Sequence, residues 1–336
     1  MAVRVTFVMP AYNACDFIAQ AIESLQRQTV AEWKLIVVDD GSTDGTLEIV
    51  RSFARNDARI SVMSMPEASG SAFMPRKVAV ESADTEYVSP LDADDCVAGD
   101  YLEKLLDAVS ATGADIVYPT MWRTSGADYK EVRRFAPVDD GLYGCVRRGR
   151  DLIKYTLDGW RMGANGGLIR RDLYVVTLSG YDVDRRIIFS DELFTRYLLL
   201  NAAKTVISSA RYYYRDNSRS VTSERSERAF GYLSNNRVLI EFCRKEFSEK
   251  SEEYILAQRQ NFHGVFDALA QLRRMGLKGA ARADVMRNIR ESAKAIDREI
   301  VRYNTSRRYQ ALLHLPFAAI TAVLSIYEHI KRRKQL

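Results

Sequence analysis

The chain has 336 residues, enough for one large domain with an appendage or for two domains. Charged residues at 28% and apolar residues at 47% are the proportions of a folded globular protein and exclude global disorder. A net charge of +5 is too small a bias to argue for nucleic acid, and no nucleic-acid partner is expected. Cys15, Cys96, Cys145 and Cys243 lie far apart and form no CxxC pair. That argues against a zinc site or a disulfide framework and fits a reducing, cytoplasmic compartment. No basic n-region and cleavage site opens the chain, so no signal peptide is read there.

Val3 to Met9 is a β-branched apolar run of strand length that Pro10 is expected to end, with Ala11-Tyr12-Asn13 as a loop. Asp16 to Gln28 reads as a helix with Phe17, Ile18, Ala21, Ile22 and Leu25 on one face. Trp33 to Val38 is a second strand closing on Asp39-Asp40-Gly41, and Thr43 or Asp44 can cap a helix that runs through Phe53. Arg59 to Met63 is a third strand, Ser71 to Ser82 a helix, and Tyr87 to Leu91 a fourth strand. Apolar strands alternating with amphipathic helices predict a parallel sheet covered on both faces. Ligands bind beyond the carboxyl ends of such strands, where Pro10 to Asn13, Asp39-Asp40 and Asp92-Ala93-Asp94 converge.

The fourth strand stops at Asp92, Asp94 and Asp95. Residues i and i+2 share a side of a strand end, so Asp92 and Asp94 can face one point. Two such carboxylates repel unless a cation lies between them, and hard oxygen ligands suit Mg²⁺ or Mn²⁺ with a phosphate completing the shell. The blander alternative is an acidic turn in which Asp95 or Asp100 caps the next helix. Dinucleotide binding is disfavoured because Met9 to Ala14 contains no glycine, and no GxxxxGK[ST] occurs. Phosphate would therefore need a metal rather than a glycine-rich cradle. The pair Asp39-Asp40 suits hydrogen bonding to a base or ribose, with one of the two expected to serve the turn before Gly41.

Thr6 to Asn13, Val37 to Thr46 and Tyr87 to Asp95 together resemble the three opening signatures of family 2 glycosyltransferases, in the same order and spacing. The resemblance implies a GT-A fold, a Rossmann-like and mostly parallel sheet flanked by helices, over residues 1–222. It implies an inverting enzyme that takes a sugar from a nucleotide-sugar donor, a UDP-sugar foremost, to a hydroxyl of a glycan or lipid-linked saccharide. Carried over by position, Pro10, Ala11, Tyr12 and Asn13 border the nucleotide and Asp39 hydrogen-bonds the base. Gly70 to Lys77 is similar to the family's Gly-loop followed by Arg-Asn, so Arg76 contacts base or ribose, while Lys77 departs from the usual Asn. Asp92-Ala93-Asp94 is the DXD motif, with Asp94 the direct metal ligand and Asp92 nearer the ribose. Gly166 and Gly167 lie in a segment that resembles the strand beneath the donor sugar and would let backbone approach it. Trp160 could stack on a sugar or sit in the core.

Inverting transfer needs a base for the acceptor hydroxyl. A carboxylate takes that part in such a displacement, and no histidine precedes His263, so no imidazole from the catalytic half can serve instead. Phe189-Ser-Asp-Glu-Leu-Phe194 opens a helix, Leu193 to Leu200, and aligning Phe194 with the family's aromatic puts Asp191 on the base, ahead of Glu192. Ser190 then replaces the usual Glu. The two acids could instead only complement the helix dipole. Ala210 to Thr222 resembles the strand and loop that close the donor site, where Arg215 and Arg219 could clamp the diphosphate.

Tyr101 to Ser110 reads as a helix, Ala114 to Pro119 as a short strand, and Trp122 to Gly149 as a variable loop on the acceptor side. Residues 223–336 change character: Phe230 to Phe247, Tyr254 to Met275 and Ala280 to Ile300 read as helices, with Gly276 ending the second. Tyr309 to Tyr327 carries no Asp, Glu, Lys or Arg, and Arg307-Arg308 and Lys331 to Lys334 flank it. Residues 309–334 thus suit peripheral contact with an anionic cytoplasmic leaflet, the rivals being core packing or a homodimer. The alternative to glycosyl transfer is a sugar-nucleotide-binding or nucleotidyltransferase-like protein.

Overall fold

The computed structural model describes residues 3–125, 131–134, 140–157, 159, 162, 166–180, 190–215 and 227–304. The readings made for Trp160, Arg219 and 309–334 lie outside these residues. The chain divides into two compact units, one of Met1–Thr156, Trp160–Arg186 and Ser190–Asn217, the other of Leu157–Gly159, Ile187–Phe189 and Ser218–Leu336.

The first unit alternates strands and helices as β1 (Val5–Ala11), α1 (Ile18–Gln26), β2 (Trp33–Asp39), α2 (Thr46–Asn56), β3 (Ile60–Ser64), α3 (Phe73–Ser82) and β4 (Tyr87–Pro90). It continues with β5 (Cys96–Val97), α4 (Tyr101–Thr112), β6 (Ile116–Ser125), β7 (Glu131–Arg134), α5 (Gly149–Leu152), β8 (Leu168–Arg170), α6 (Arg171–Gly180), α7 (Ser190–Asn201) and β9 (Thr205–Arg215). One sheet runs β3-β2-β1-β4-β8-β6-β9-β5, with β7 paired to β6. Neighbours among β3, β2, β1 and β4 are parallel, as the alternating pattern requires. The sheet is mixed beyond that point, because β8 lies antiparallel to both β4 and β6, while β6 and β9 are parallel.

Two prolines refine the strand boundaries. Pro10 does not end β1, which pairs with β2 as far as Ala11↔Asp39. The ladder to β4 ends at Val8↔Pro90, and Leu91 N–H already bonds Val8 C=O at 3.1 Å, so the missing Pro10 N–H faces past that ladder. Likewise β6 continues beyond Pro119 by slipping register with β9 between Tyr118 and Thr120, a bulge that takes up the absent donor. Trp122 to Ser125 and Glu131 to Arg134 are therefore paired strands, which corrects the reading of 122–149 as loop throughout.

The core lies between the β1–β2 face and α1 and α4. Val5, Phe7, Met9, Leu35 and Val37 pack with Ile18, Ile22, Leu25 and Leu105, all buried. Phe7 meets the fully buried Trp33 edge-on at 6.2 Å. Removing one such side chain, Leu25→Ala, would cost about 2–5 kcal/mol. That rigidity is what fixes the strand ends where the polar clusters sit.

The second unit, over its described residues, contains α8 (Tyr232–Glu246), α9 (Glu252–Met275), α10 (Gly279–Lys294) and α11 (Arg298–Asn304). Ser251 caps α9 by accepting from Tyr254 N–H at 3.1 Å, and Gly276 ends it with φ 67°. The single helix expected over 280–300 is broken, because Asp297 Oδ1 accepts from the N–H groups of Glu299 and Ile300, both at 3.1 Å, and starts α11. Among the described residues no helix is long and apolar enough to cross a membrane.

Candidate active site

The ends of β1 and β2 interlock. Asp40 N–H donates to Ala11 C=O at 2.8 Å, and Asn13, with φ 47°, accepts at Oδ1 from Thr43 N–H at 2.8 Å. Ser42 Oγ in turn accepts from Asn13 N–H at 3.0 Å. Pro10 and Ala11 are buried beneath, while Tyr12 projects with 53% of its surface exposed. The two acids of β2 then diverge. Asp40 takes Ser69 N–H and Ser69 Oγ, each at 2.9 Å, so it ties down the loop before α3. Asp39 accepts Ser42 N–H on Oδ2 at 3.2 Å, but its buried Oδ1 has no partner. A buried acceptor left bare is costly, and it invites a ligand N–H.

The acids beyond β4 also part. Asp92 Oδ1 accepts from Arg76 Nη2 at 2.7 Å, and Arg76, from α3, is buried. Asp92 N–H donates to the Tyr212 phenol at 3.2 Å, and that phenol donates to Asp95 Oδ2 at 2.8 Å. Asp95 Oδ1 accepts Arg215 N–H at 2.8 Å. Burial first, then the neighbouring charges of Asp94 and Asp92, push the Asp95 carboxyl well up. Asp95 is thus an internal strut to β9 and not a helix cap. Asp100 holds the N-cap position of α4, makes no side-chain cap bond, and pairs with Lys104 at 2.7 Å.

Three expected donor contacts point elsewhere. Arg215, expected at the diphosphate, donates Nε to Asp94 C=O at 2.8 Å and Nη2 to Gln20 Oε1 at 2.7 Å. Gly166 and Gly167 adopt φ 71° and 80°, and their close approaches are to protein rather than sugar. A Cβ on Gly166 would come within 2.6 Å of the Tyr212 ring, and one on Gly167 within 2.1 Å of Val117 O. Lys77, which stands at the family's Asn, pairs with Glu81 at 3.6 Å on the helix surface.

Asp94 is half-buried at the strand end. No cluster of three metal-ligating side chains occurs among the described residues. Asp95 is turned inward and Asp92 is bonded to Arg76, so the carboxylate oxygens to be weighed for a cation in this turn are those of Asp94. That donor set fits a hard cation which takes its other ligands from a diphosphate and water.

Asp191 is the second residue of α7, where its carboxyl lies within electrostatic reach of Arg76 and Asp92. Burial raises its pKa, Arg76 opposes the rise, and Asp92 adds to it. For Arg76, burial works against the charge, but Asp92, Tyr174 and Asp191 outweigh it and hold the pKa raised. Tyr174, from α6, is pushed up to about 12, chiefly by burial. Arg76 is thus ion-paired with Asp92, and both charges influence Asp191, the expected base. Glu192 is turned away to Arg196, 3.6 Å along its own helix.

Sequence reasoning did not find Ser69, Tyr174, Arg196 or the Tyr212–Asp95 bond. In the sequence, only the run Tyr212-Tyr213-Tyr214, which a strand would divide between two faces, bears on that bond.

Comparison with known proteins now adds to this geometry. The sequence pattern described as "Glycosyl transferase family 2" matches residues 6–173, half of the chain. The chain belongs to that family. It is 27% identical over 266 residues to the glycosyltransferase GlyG of Streptococcus pneumoniae, covering 76% of this chain and 82% of GlyG. It is 42% identical over 103 residues to the putative teichuronic acid biosynthesis glycosyltransferase TuaG of Bacillus subtilis, covering 31% of this chain and 40% of TuaG. To the poly(ribitol-phosphate) β-N-acetylglucosaminyltransferase TarS of Staphylococcus aureus it is 27% identical over 271 residues, 78% of this chain and 44% of TarS. The chain thus spans less than half the length of TuaG and TarS. The crystal structure of TarS residues 1–349 with UDP-GlcNAc superposes with a TM-score of 0.72 at 19% identity, covering 98% of this chain and 92% of that one. The fold is GT-A, a mostly parallel sheet flanked by helices and followed by a helical region.

Proposed function

We propose that this glycosyltransferase moves a sugar from a UDP-sugar to a hydroxyl of a glycan or lipid-linked saccharide by a single inverting displacement. The observation that carries the proposal is the ion pair of Asp92 with the buried Arg76, whose charges reach Asp191 at the start of a helix. The likeness to TarS, whose structure contains UDP-GlcNAc, supports UDP as the nucleotide.

Asp39 Oδ1 would accept the base N–H, and Tyr12, exposed beside it, would cover the ring. Asp94 would hold a Mg²⁺ or Mn²⁺, whose chemistry is to neutralise the diphosphate as it leaves. Asp191 would accept the proton of the attacking hydroxyl, and its raised pKa brings it nearer the working pH of a general base. The charge of Arg76 offsets the repulsion that Asp92 exerts on Asp191. Residues 309–334, apolar with basic flanks, would bring the enzyme to the cytoplasmic face of a membrane where lipid-linked acceptors lie.

The test is nucleotide release. Wild type, Asp94→Ala and Asp191→Asn are incubated with UDP-GlcNAc and other UDP-sugars, Mn²⁺ and candidate acceptors. Acceptor-dependent UDP release that both variants lose is the expected result. Donor binding without release in the wild type would favour a sugar-nucleotide-binding protein.

A further inference from the structure

Arg196 has no solvent exposure, and the reaction assigned above makes no use of it. A guanidinium so deeply buried is expensive, and an apolar side chain of equal volume would pack at lower cost. What it does is fix one face of α7. Nε donates to Thr156 Oγ1 at 3.1 Å and Nη2 to Thr156 C=O at 2.6 Å, at the end of the 3-10 turn Ile153–Thr156. Nη1 donates to Glu192 C=O at 2.9 Å, and the Glu192 carboxylate stands 3.6 Å away. Thr156 is held in its turn, since Oγ1 donates to Ile153 C=O at 2.7 Å.

Successive residues of a helix are turned about 100° from one another, so pinning the Glu192 side sets the direction in which Asp191 points. A second clamp lies two residues before Arg196. Phe194 is wedged between Phe73 of α3 at 5.6 Å and Tyr174 of α6 at 4.9 Å. Helix α7 also begins with Ser-Asp-Glu, and Glu192 is the acid that Arg196 engages.

We propose that Arg196, acting through Thr156 and Glu192, is a positioning residue that holds the first turn of α7 at the rotation which aims Asp191 at the acceptor hydroxyl. This rests on the reading of Asp191 as base. A misplacement of about 1 Å at a reacting group costs roughly 10²-fold in rate, whereas neither Arg196, Thr156 nor Glu192 is among the residues assigned above to the nucleotide.

The test compares Arg196→Met, Arg196→Lys, Thr156→Val and Asp191→Asn in the full chain. Each is assayed for kcat and donor KM by UDP release, UDP affinity by calorimetry, and thermal midpoint. Arg196→Met is expected to lower kcat about 10²-fold while donor KM and UDP affinity stay within about twofold. Arg196→Lys should restore part of kcat, because an ammonium reaches one acceptor but cannot fork. Thr156→Val, isosteric and without the Oγ acceptor, should lower kcat by less and leave KM alone; it decides the matter if Arg196→Met does not fold. Unchanged kcat in Thr156→Val and Arg196→Lys, with only the thermal midpoint lowered, would overturn the proposal and leave Arg196 a stabilising residue. Full activity in Asp191→Asn would instead remove the base assignment, a failure seen in a different variant.

Discussion

Two strand ends carry neighbouring acids, and the two treat them differently. At the end of β2, both acids are held by neutral donors: Asp40 by Ser69, Asp39 by a backbone N–H, with Asp39 Oδ1 left open. Beyond β4, Asp92 is held by the charged Arg76 guanidinium, and Asp95 by the Tyr212 phenol and the Arg215 backbone N–H. Under the proposed function the first end would accept one hydrogen bond from an uncharged ring. The second would manage charge that arrives with a diphosphate and a cation. In both, one acid faces the protein so that its neighbour can face a ligand.

The comparison breaks most sharply at Asp94 and Asp191. Asp94→Ala should lower kcat/KM by about 10³-fold, and Asp191→Asn by about 10²–10⁴-fold, measured by UDP release. Glu192→Gln, one residue on, should keep kcat within about tenfold. If Glu192→Gln is the more damaging change, the assignment of the base is wrong.

Next comes pH. A base must be ionised, and the raised pKa of Asp191 puts the acid limb of the kcat profile above the ordinary carboxylate range. Arg76→Met removes the charge that lowers that pKa, so the limb should move to higher pH; Asp92→Asn removes a charge that raises it, so the limb should move down. Profiles of both variants that coincide with wild type would separate the base from the DXD turn.

At β2 the effects should be smaller and of another kind. Asp39→Ala should raise the Kd for UDP about tenfold by calorimetry, the worth of one hydrogen bond to a buried carboxylate. Asp40→Asn should act through the loop at Ser69, loosening it to hydrogen exchange with a weaker effect on UDP affinity. Equal losses of affinity in both would mean that Asp40 also meets the nucleotide.

The smallest effect concerns stability. The carboxylate of Asp44 is lowered from 3.8 to about 2: burial raises it, but the hydrogen bonds of Thr46 and Cys15 outweigh that. A lowered folded-state pKa gives stability that is complete above the unfolded value and lost as pH falls towards about 2. Asp44→Asn should therefore flatten acid unfolding in that window, followed by circular dichroism.

How much of this was legible in the sequence depended on whether the cause was local. Strands β1 to β4 were readable because apolar runs are written within a few residues, whereas the expectations for Asp39, Asp94 and Asp191 rest on motif position. Strand β8 came only from the resemblance of its segment to the family's, and the far half of β6 was not read, since a bulge at Pro119 draws its pairing from partners distant in the chain. The same holds for Arg215 and the two glycines. A motif places Arg215 near the donor site, but only the packed structure reveals that its guanidinium braces Asp94 from behind. Gly166 and Gly167 read as room for a sugar, yet Tyr212 and Val117 occupy it.

The hydroxyl of Tyr212 reaches a stretch 120 positions earlier in the chain, accepting from the Asp92 amide and donating to Asp95. The acidic turn is consequently not a portable cassette. Residues 86–95 transplanted onto another Rossmann-like strand would carry the letters of the motif without the phenol that shapes it, and homologues drifting at either stretch would need to change in step.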